Sequence, residues 1–327
     1  MKKQSTMIAC ALAVVSGVLL CLGGCNQSPE VVIYSNADEE SRLAMQDALD
    51  RAGFSGQYIF SSFSTSELGG KIMAEGSNIE ADVITASTYY LESAQQAHRM
   101  FAPLSFTFHA LEKTPGFCAP LTAQEGAIFI NTRALQENGL PRPASLKDLA
   151  SPAYKGFISI PNIRSSSTAW LMVQALVSAY GEQEARRLLH SIVENAGPHL
   201  ENSGSGPLKK VRAGEVAIAF GLRHQAVAAK NDGLPIDYVD PTEGNFSLTE
   251  SVAVVDKGEA TNPLAMEMAQ CIIDNGRAEL QTYYPNPLYE GESADSANQS
   301  AYPKTFSEPL TFELYEHHIE ISEAAKP

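Results

Sequence analysis

The sequence predicts an α/β protein built as two lobes around a cleft. Short apolar strands alternate with segments of helical spacing in the first part of the chain, and the same alternation resumes after its middle. Strands that alternate with helices of ten or more residues are typical of parallel sheets. With 327 residues, 44% of them hydrophobic, the chain is long enough for one large core or two moderate ones.

The first unit begins with an apolar strand at residues 30–35 and a helix at 36–49, on which Leu43, Met45 and Leu49 have helical spacing. A strand at 56–60, a helix starting near residue 64 and a strand at 81–86 follow. The second unit contains strands at 126–131, 157–161, 216–220 and 249–255, and an amphipathic helix at 168–180. The tail at 285–303 is rich in Pro, Ser, Asn and Ala, and we expect it to wrap over the surface before a last short segment near 312–321.

The N-terminus has the pattern of a bacterial lipoprotein signal peptide. Lys2 and Lys3 precede an apolar run at 7–22, which is too short for a comfortable membrane span. The following Leu22-Gly-Gly-Cys25 resembles a lipobox, which implies cleavage after residue 24 and lipid attachment to Cys25. We therefore expect a signal peptide at 1–24, a lipidated linker at 25–30 and a lipoprotein anchored on the periplasmic or extracellular face of a bacterial envelope. Ordinary secretion is the alternative.

Charge and cysteine content limit the possible partners. Removal of residues 1–24 takes away two lysines and no acidic residue, so the formal charge falls from −15 to −17. A chain without a basic stripe is poorly suited to nucleic acid, whereas a small anion depends on the groups that line its cleft. Cys118 and Cys271 would remain as unmodified cysteines, which could form a disulfide in an oxidising compartment, but their spacing defines neither a disulfide framework nor a metal motif.

Hydroxyl side chains gather directly before several predicted helices. The clusters are Ser61–Ser66, Ser165–Thr168 and Ser203–Ser205, with a weaker case at Tyr34–Asp38. Ser64 and Glu67 form a capping-box pattern, so one hydroxyl per helix is explained by local structure. The surplus hydroxyls, together with the free N–H groups of helix N-termini, would suit an oxyanion receptor if the termini converge on one cleft. Simple capping is the alternative for all of them.

The order of several motifs resembles one family of transport proteins. It is the family of solute-binding proteins of ABC importers, in the branch that handles ferric iron, sugar phosphates and 2-aminoethylphosphonate. The resemblance implies a type II-like periplasmic-binding-protein fold, with a mixed, mainly parallel sheet in each lobe and a hinge between the lobes. It also implies a monomer that binds a small anionic ligand, delivers it to an ABC permease, needs no cofactor and catalyses no reaction. The motifs are Ser64-Thr-Ser-Glu-Leu68, Ala81-Asp-Val83, Tyr154-Lys-Gly156, Pro161-Asn-Ile-Arg-Ser-Ser-Ser-Thr-Ala169, Ser203-Gly-Ser-Gly-Pro207, Ala213-Gly-Glu-Val-Ala-Ile218 and Gly221-Leu-Arg-His224.

The expected organisation places the first part of lobe 1 at 31–116, lobe 2 at 117–222, a return to lobe 1 at 223–280 and a C-terminal tail on the lobes at 281–327.

We expect a phosphonate or phosphate ester, best matched by 2-aminoethylphosphonate, with no metal ion in the site. A ligand amine would need a carboxylate, for which Glu250 and Asp38 are the candidates, and Arg164 could add charge near the anion. The predicted ligand-binding residues are Ser35, Ser64, Thr65, Ser66, Ser166, Ser167, Thr168, Ser205, His224 and Glu250.

Ferric iron and sugar phosphates are the alternatives within the family. Similar iron binders hold the metal with adjacent tyrosines where this chain has Phe220-Gly-Leu-Arg-His224, and the pairs Tyr89-Tyr90 and Tyr283-Tyr284 are not at that place. Similar sugar-phosphate binders share His224 but tend to follow it with an aspartate, where this chain has Gln225. The first difference disfavours iron, and the second disfavours a sugar phosphate. The resemblance also implies glycines where this chain has Ser66 and Ser167, and these serines add donors and fill space, which favours a smaller ligand with a tetrahedral anionic head.

A secreted hydrolase is the alternative from another class. The sequence lacks a Gly-x-Ser-x-Gly nucleophile elbow, because Ser203 and Pro207 flank Ser205 at the two glycine positions. It also lacks the His-Glu-x-x-His zinc pattern. A structural or adhesive lipoprotein is the third alternative, and it would not need the repeated hydroxyl-bearing helix starts.

Overall fold

The computed structural model describes residues 30–307 and 309–326. The predicted signal peptide and the lipidation site at Cys25 lie outside the described residues. The strands within these ranges are β1 (Val31–Ser35), β2 (Tyr58–Ser62), β3 (Val83–Ser87), β4 (Cys118–Asn131), β5 (Ile158–Pro161), β6 (Leu200–Glu201), β7 (Ile218–Leu222), β8 (Ile236–Val239), β9 (Asn245–Val254) and β10 (Pro303–Lys304). The α-helices are α1 (Glu39–Arg51), α2 (Thr65–Glu75), α3 (Thr88–His98), α4 (Thr132–Glu137), α5 (Thr168–Tyr180), α6 (Glu182–Ala196), α7 (Gly206–Ala213), α8 (Arg223–Asn231), α9 (Pro263–Tyr283) and α10 (Phe312–Glu323).

The strands form a mixed sheet in the order β2-β1-β3-β9-β4-β7-β5-β6, with β8 on β4 and β10 on β9. In the first half, β1 lies parallel to β2 and β3, and β9 lies antiparallel to β3. In the second half, β5 lies parallel to β6 and β7, and β7 lies antiparallel to β4. Each half thus carries the parallel strands that the alternation of strands and helices predicted.

The long strands β4 and β9 join the two halves. Residues 118–125 of β4 pair with β9, whereas residues 126–131 pair with β7 and β8. The change of partner occurs at Gly126, where an added Cβ would lie 2.5 Å from the Phe220 ring. A side chain does not fit at this position, so glycine lets one strand pass from the first lobe into the second.

Most predicted elements are present, with ends shifted by a few residues. The helix predicted at 168–180 has the same bounds in α5. The helix predicted at 36–49 starts later, at Glu39, because Asn36, Ala37 and Asp38 form the turn after β1. Helices α3, α6, α8 and α9 were not identified from the pattern.

The return of the chain to the first lobe comes later than the predicted residue 223. Helix α8 packs on β8, and β8 pairs with Ile128–Asn131 in the second half of β4. The chain re-enters the first half through β9, which pairs with β3. The predicted start of lobe 2 at residue 117 likewise precedes the change of strand partner, because residues 118–125 of β4 pair with β9 in the first half. The other predicted lobe boundaries stay predictions.

The core of the second lobe extends into the first through aromatic side chains. Trp170 of α5 is fully buried and packs edge-on against Tyr89 of α3 and Tyr315 of α10, with ring centroids 4.7 and 5.0 Å apart. Helix α10 therefore lies against both lobes. Cys118 and Cys271 are buried as free thiols in separate clusters of the first lobe. No helix among the described residues is long and apolar enough to cross a membrane.

Candidate functional site

A cavity of about 250 Å³ lies between the two lobes. The first lobe lines it with the start of α1 and the start of α2. The long strands β4 and β9 contribute Gln124 and Glu250. The second lobe lines it with the start of α5 and the loop before α7. The lining residues are Asn36, Ala37, Asp38, Glu39, Phe63, Ser64, Thr65, Gln124, Ser165, Ser166, Ser167, Thr168, Asn202, Ser203, Gly204 and Glu250.

At the start of α2, the Ser64 hydroxyl caps the helix and the Thr65 hydroxyl makes a different contact. Ser64 forms the predicted capping box, in which its Oγ accepts from the Glu67 amide and the Glu67 carboxylate accepts from the Ser64 amide. This geometry satisfies amide groups that the first helical turn leaves unpaired. Thr65, 5% exposed, is not used for capping, and its Oγ1 accepts from Asn36 Nδ2 at 3.1 Å. Both residues line the cavity, but the Ser64 hydroxyl is used for the cap, whereas the Thr65 hydroxyl is not.

The start of α5 brings three buried hydroxyls to the opposite wall. Ser166 Oγ accepts from the Thr168 amide at 3.3 Å, and the N-cap residue Ser167 makes no side-chain capping bond. Gly204 comes so close that an added Cβ would lie 2.5 Å from Thr168 Oγ1 and 3.1 Å from Ser166 Oγ. Helix α7 begins two residues later, and its Gly206 amide donates to Ser203 Oγ. The N-termini of α1, α2 and α5, each the positive end of a helix dipole, thus meet at the cavity.

Two carboxylates with raised pKa values line the cavity, Glu250 from β9 and Asp38 from the N-cap of α1. Glu250 is buried on β9 and accepts a long hydrogen bond of 3.5 Å from Asn36 Nδ2. Burial, and then repulsion from Asp38, raises the pKa of Glu250 to about 7. Burial, and then repulsion from Glu40, raises the pKa of Asp38 to about 6, against the attraction of Lys209. Both carboxylates lack a nearby cation strong enough to offset their loss of water, so a ligand cation would stabilise them.

The structure thus brings six of the predicted residues to one cavity, namely Ser64, Thr65, Ser166, Ser167, Thr168 and Glu250. Ser35 lies elsewhere, because its buried Oγ accepts from Thr85 Oγ1 at 2.7 Å and from the Ala37 amide at 3.0 Å. Ser66 also does not line the cavity, and its Oγ lies 3.5 Å from the Tyr315 hydroxyl. The ligand-binding role of all these residues stays a prediction.

Ser205 and His224 line a neighbouring cavity of about 410 Å³ between α7, α8 and the end of α9. The His224 ring packs on the Tyr284 ring with centroids 4.7 Å apart. Burial lowers the pKa of His224 to about 3, so its ring is neutral at neutral pH. Arg164 is more than half exposed and pairs with Glu323 at 3.2 Å, which matches a surface position.

Several residues of the cavity were missed by sequence reasoning. Asn36, Gln124, Asn202, Ser203 and Gly204 lie in its wall without having been singled out as ligand-binding residues. Gln124 carried little signal, because its strand β4 also contains the polar residues Thr122, Glu125 and Asn131. Within the described residues, no cluster of three or more His, Cys, Asp and Glu side chains could hold a metal ion.

The fold is the two-lobed fold of the periplasmic binding proteins, and the cavity lies between its lobes. The chain belongs to the family described as bacterial extracellular solute-binding protein, whose profile matches residues 84–304. It is thus an extracellular solute-binding protein of the ABC-importer type. A relative in Haemophilus influenzae, an uncharacterized protein, is 25% identical over 259 residues, which cover 75% of this chain and 73% of that one.

Solved structures with the same fold bind chemically different solutes. The iron-bound HitA of Pseudomonas aeruginosa is 19% identical, with a TM-score of 0.70 over 91% of this chain and 99% of that one. AfuA of Actinobacillus pleuropneumoniae, with fructose-6-phosphate bound, is 18% identical, with a TM-score of 0.67 over 91% and 94% of the two chains. A periplasmic thiamin binding protein is 14% identical, with a TM-score of 0.74 over 93% and 98%. At these identities the likeness establishes the fold alone.

Proposed function

We propose that this chain captures a small phosphonate or phosphate ester, with 2-aminoethylphosphonate as the best match, and delivers it to an ABC permease. The observation that carries the proposal is that one interlobe cavity holds both hydrogen-bond donors and anionic acceptors. Hydroxyls and helix N-termini from both lobes supply hydrogen-bond donors, whereas Asp38 and Glu250 supply anionic acceptors. A compact zwitterion with an oxyanion at one end and an ammonium at the other complements both.

The hydroxyl groups and helix N-termini of the cavity suit a tetrahedral oxyanion. A phosphonate presents three oxygens, and each accepts more than one hydrogen bond. The hydroxyls of Thr65, Ser167 and Thr168 come from opposite lobes, so an anion between them would draw the lobes together. Helix N-termini favour negative charge without requiring a basic side chain, which is consistent with the acidic balance of the chain.

The carboxylates of Glu250 and Asp38 suit an ammonium group. Glu250 and Asp38 have raised pKa values because burial and nearby negative charge disfavour their ionised forms. A bound ammonium would reverse that effect and keep both carboxylates ionised. Asn36 Oδ1 is buried without a partner among the described residues, so it offers a further acceptor beside Glu250. An ester or sugar phosphate without an amine would leave these acceptors less well satisfied.

Ferric iron and sugar phosphates remain the competing ligands, since relatives of the same fold bind them. At the segment where similar iron binders carry tyrosines, Arg223 is held in an ion pair with Asp240 at 2.7 Å. Tyr89 and Tyr90 pack in the aromatic cluster with Tyr315 and do not line the interlobe cavity. These contacts support an organic anion over the metal.

Thermal unfolding with a panel of ligands tests the proposal. The protein would be the chain from Asn26 onward, which contains every described residue. The panel would contain 2-aminoethylphosphonate, ethylphosphonate, phosphonoacetate, hexose 6-phosphates, inorganic phosphate and ferric citrate. A ligand at a hundred times its Kd stabilises by about 2.7 kcal/mol, which is a measurable rise in Tm.

We expect the largest rise in Tm with 2-aminoethylphosphonate and a much smaller one with ethylphosphonate, which has the same anion and no amine. Recovery of the ligand unchanged after incubation would agree with binding, whereas turnover would favour the hydrolase alternative. A rise confined to ferric citrate or to a sugar phosphate would overturn the proposed ligand.

We also propose that Cys25 carries a lipid anchor, on the basis of the lipobox-like Leu22–Cys25. Mass spectrometry of the protein from bacterial membranes would test this. We expect a diacylglycerol-modified Cys25 in the wild type and release of the Cys25→Ser variant from the membrane fraction. An unmodified Cys25 in the wild type would favour ordinary secretion.

A further inference from the structure

Tyr315 of the C-terminal helix lies between the two lobes, directly behind the ligand cavity. Its side chain is fully buried. Its ring centroid lies 5.5 Å from that of Tyr89 in the first lobe and 5.0 Å from that of Trp170 in the second. The position of this ring therefore depends on how the lobes face each other.

The Tyr315 hydroxyl contacts both walls of the cavity from behind. It donates to the Ile163 carbonyl, in the loop that leads into the hydroxyls at the start of α5. It also lies 3.5 Å from Ser66 Oγ, in the first turn of α2 and next to Thr65. One buried phenol thus links the two helix starts that face each other across the cavity.

Helix α10 is fixed to each lobe independently of this hydroxyl. The Phe312 amide donates to Ser93 Oγ of α3 at 3.0 Å in the first lobe. Trp170 Nε1 donates to His318 Nδ1 at 2.7 Å in the second lobe. Removal of the Tyr315 hydroxyl would leave these contacts and the ring packing in place, so its effect on the cavity can be measured separately from folding.

We propose that Tyr315 is a positioning residue for ligand binding, whose hydroxyl holds the starts of α2 and α5 at the separation that the ligand needs. The proposal rests on the proposed binding function of the cavity. Preorganisation of this kind raises affinity because less freedom is lost on binding. The C-terminal helix would thereby contribute to affinity without touching the ligand.

The test compares Tyr315→Phe with Tyr154→Phe in the chain from Asn26 onward. Tyr154 is a matched control, since it is also buried and its hydroxyl donates to a backbone carbonyl, that of Pro141, away from the cavity. Spin labels at Leu43→Cys on α1 and Glu137→Cys on α4 would report the distance between the lobes, because both positions are exposed and the native Cys118 and Cys271 are buried. Titration calorimetry with 2-aminoethylphosphonate would report Kd.

We expect Tyr315→Phe to broaden the interlobe distance distribution of the unliganded protein and to raise Kd about tenfold, the effect of one lost hydrogen bond of ordinary strength. Ser66→Ala should change both readouts in the same direction by less, since it removes only one of the contacts of the hydroxyl. Tyr154→Phe should lower Tm but leave both readouts at wild-type values.

A distance distribution equal to that of Tyr154→Phe would overturn the proposal, whatever the binding result. If the distribution broadens but the wild type does not bind 2-aminoethylphosphonate, the positioning role stands and the proposed ligand fails. The distance measurement needs no ligand, so failure of one proposal is distinguishable from failure of the other.

Discussion

Ser64 and Thr65 are neighbours in the chain but have different contacts in the structure. The Ser64 hydroxyl is occupied by the capping box, whereas Thr65 Oγ1 accepts from Asn36 beside the cavity. We expect Thr65→Ala to raise the Kd for 2-aminoethylphosphonate about tenfold while it lowers the Tm of the unliganded protein little. Calorimetry and thermal unfolding of the same samples would check this. A loss of stability as large as the loss of binding energy would indicate a merely structural threonine.

Glu250 should make stability and binding depend on pH in opposite senses. Its pKa is about 7 in the folded protein, above the ordinary 4.5 expected after unfolding. The folded state therefore binds more protons between these values, and the contribution of Glu250 to stability is present at low pH and is lost as the pH rises through 7. We expect the Tm of Glu250→Gln to fall less than that of the wild type between pH 5 and pH 8.

Affinity for an ammonium should rise over the same interval, because ionised Glu250 and Asp38 are the forms that attract it. Ethylphosphonate is the comparison without the amine, and Glu250→Gln is the control for titration of the ligand itself, because the ligand ammonium lowers the pKa of its own phosphonate. The change of the ratio with pH should be smaller in Glu250→Gln than in the wild type. We expect the ratio of the two Kd values to favour 2-aminoethylphosphonate more strongly at pH 8 than at pH 5. A ratio independent of pH would contradict an ammonium site at these carboxylates.

At the scale of elements, local patterns predicted the helix starts but not how closely they approach. The spacing of Leu171, Met172, Ala175 and Leu176 was enough to place α5, and the Ser64-x-x-Glu67 pattern was enough to place the cap of α2. The contact of the loop before α7 with the start of α5 joins segments about 40 residues apart, and no local pattern encodes it. Tertiary packing decides such contacts, which is why Gly204 was missed as part of the cavity wall.

Gly204→Ala should close part of the cavity. The new methyl group would lie 2.5 Å from Thr168 Oγ1, too close for normal packing, so the hydroxyl must move. We expect at least a tenfold rise in the Kd for 2-aminoethylphosphonate, measured by calorimetry. Gly70→Ala on α2 is the control, because its Cβ would meet nothing within 4 Å. That control should bind normally and gain up to about 1 kcal/mol of stability, and equal binding by both variants would contradict the proposed cavity wall.

At the scale of the whole molecule, the alternation of elements was sufficient to predict two lobes, but not what holds the tail. Two buried arginines fix residues 285–304 to the lobes. Arg277 pairs with Glu292 and donates to the Asn286 carbonyl. Arg223 pairs with Asp240 and donates to the carbonyls of Ala297 and Gln299. No sequence pattern predicts these partners, because charged residues are mostly exposed and a buried pair depends on distant segments.

Arg223→Ala should therefore destabilise the protein far more than the loss of a surface arginine. It would leave the Asp240 carboxylate buried without its ion-pair partner and remove one donor from each of two tail carbonyls, a loss typically worth about 3–5 kcal/mol. Arg187 is the matched control, since it pairs with Glu184 at 2.6 Å but is 66% exposed, and such pairs contribute about 0–1 kcal/mol. Urea unfolding of Arg223→Ala, Arg187→Ala and the wild type would measure the difference. Arg223 lies in the segment where similar iron binders carry tyrosines. A small loss of unfolding free energy in Arg223→Ala would show that the fold does not depend on this side chain. Arg223 would then become a candidate for contact with the ligand.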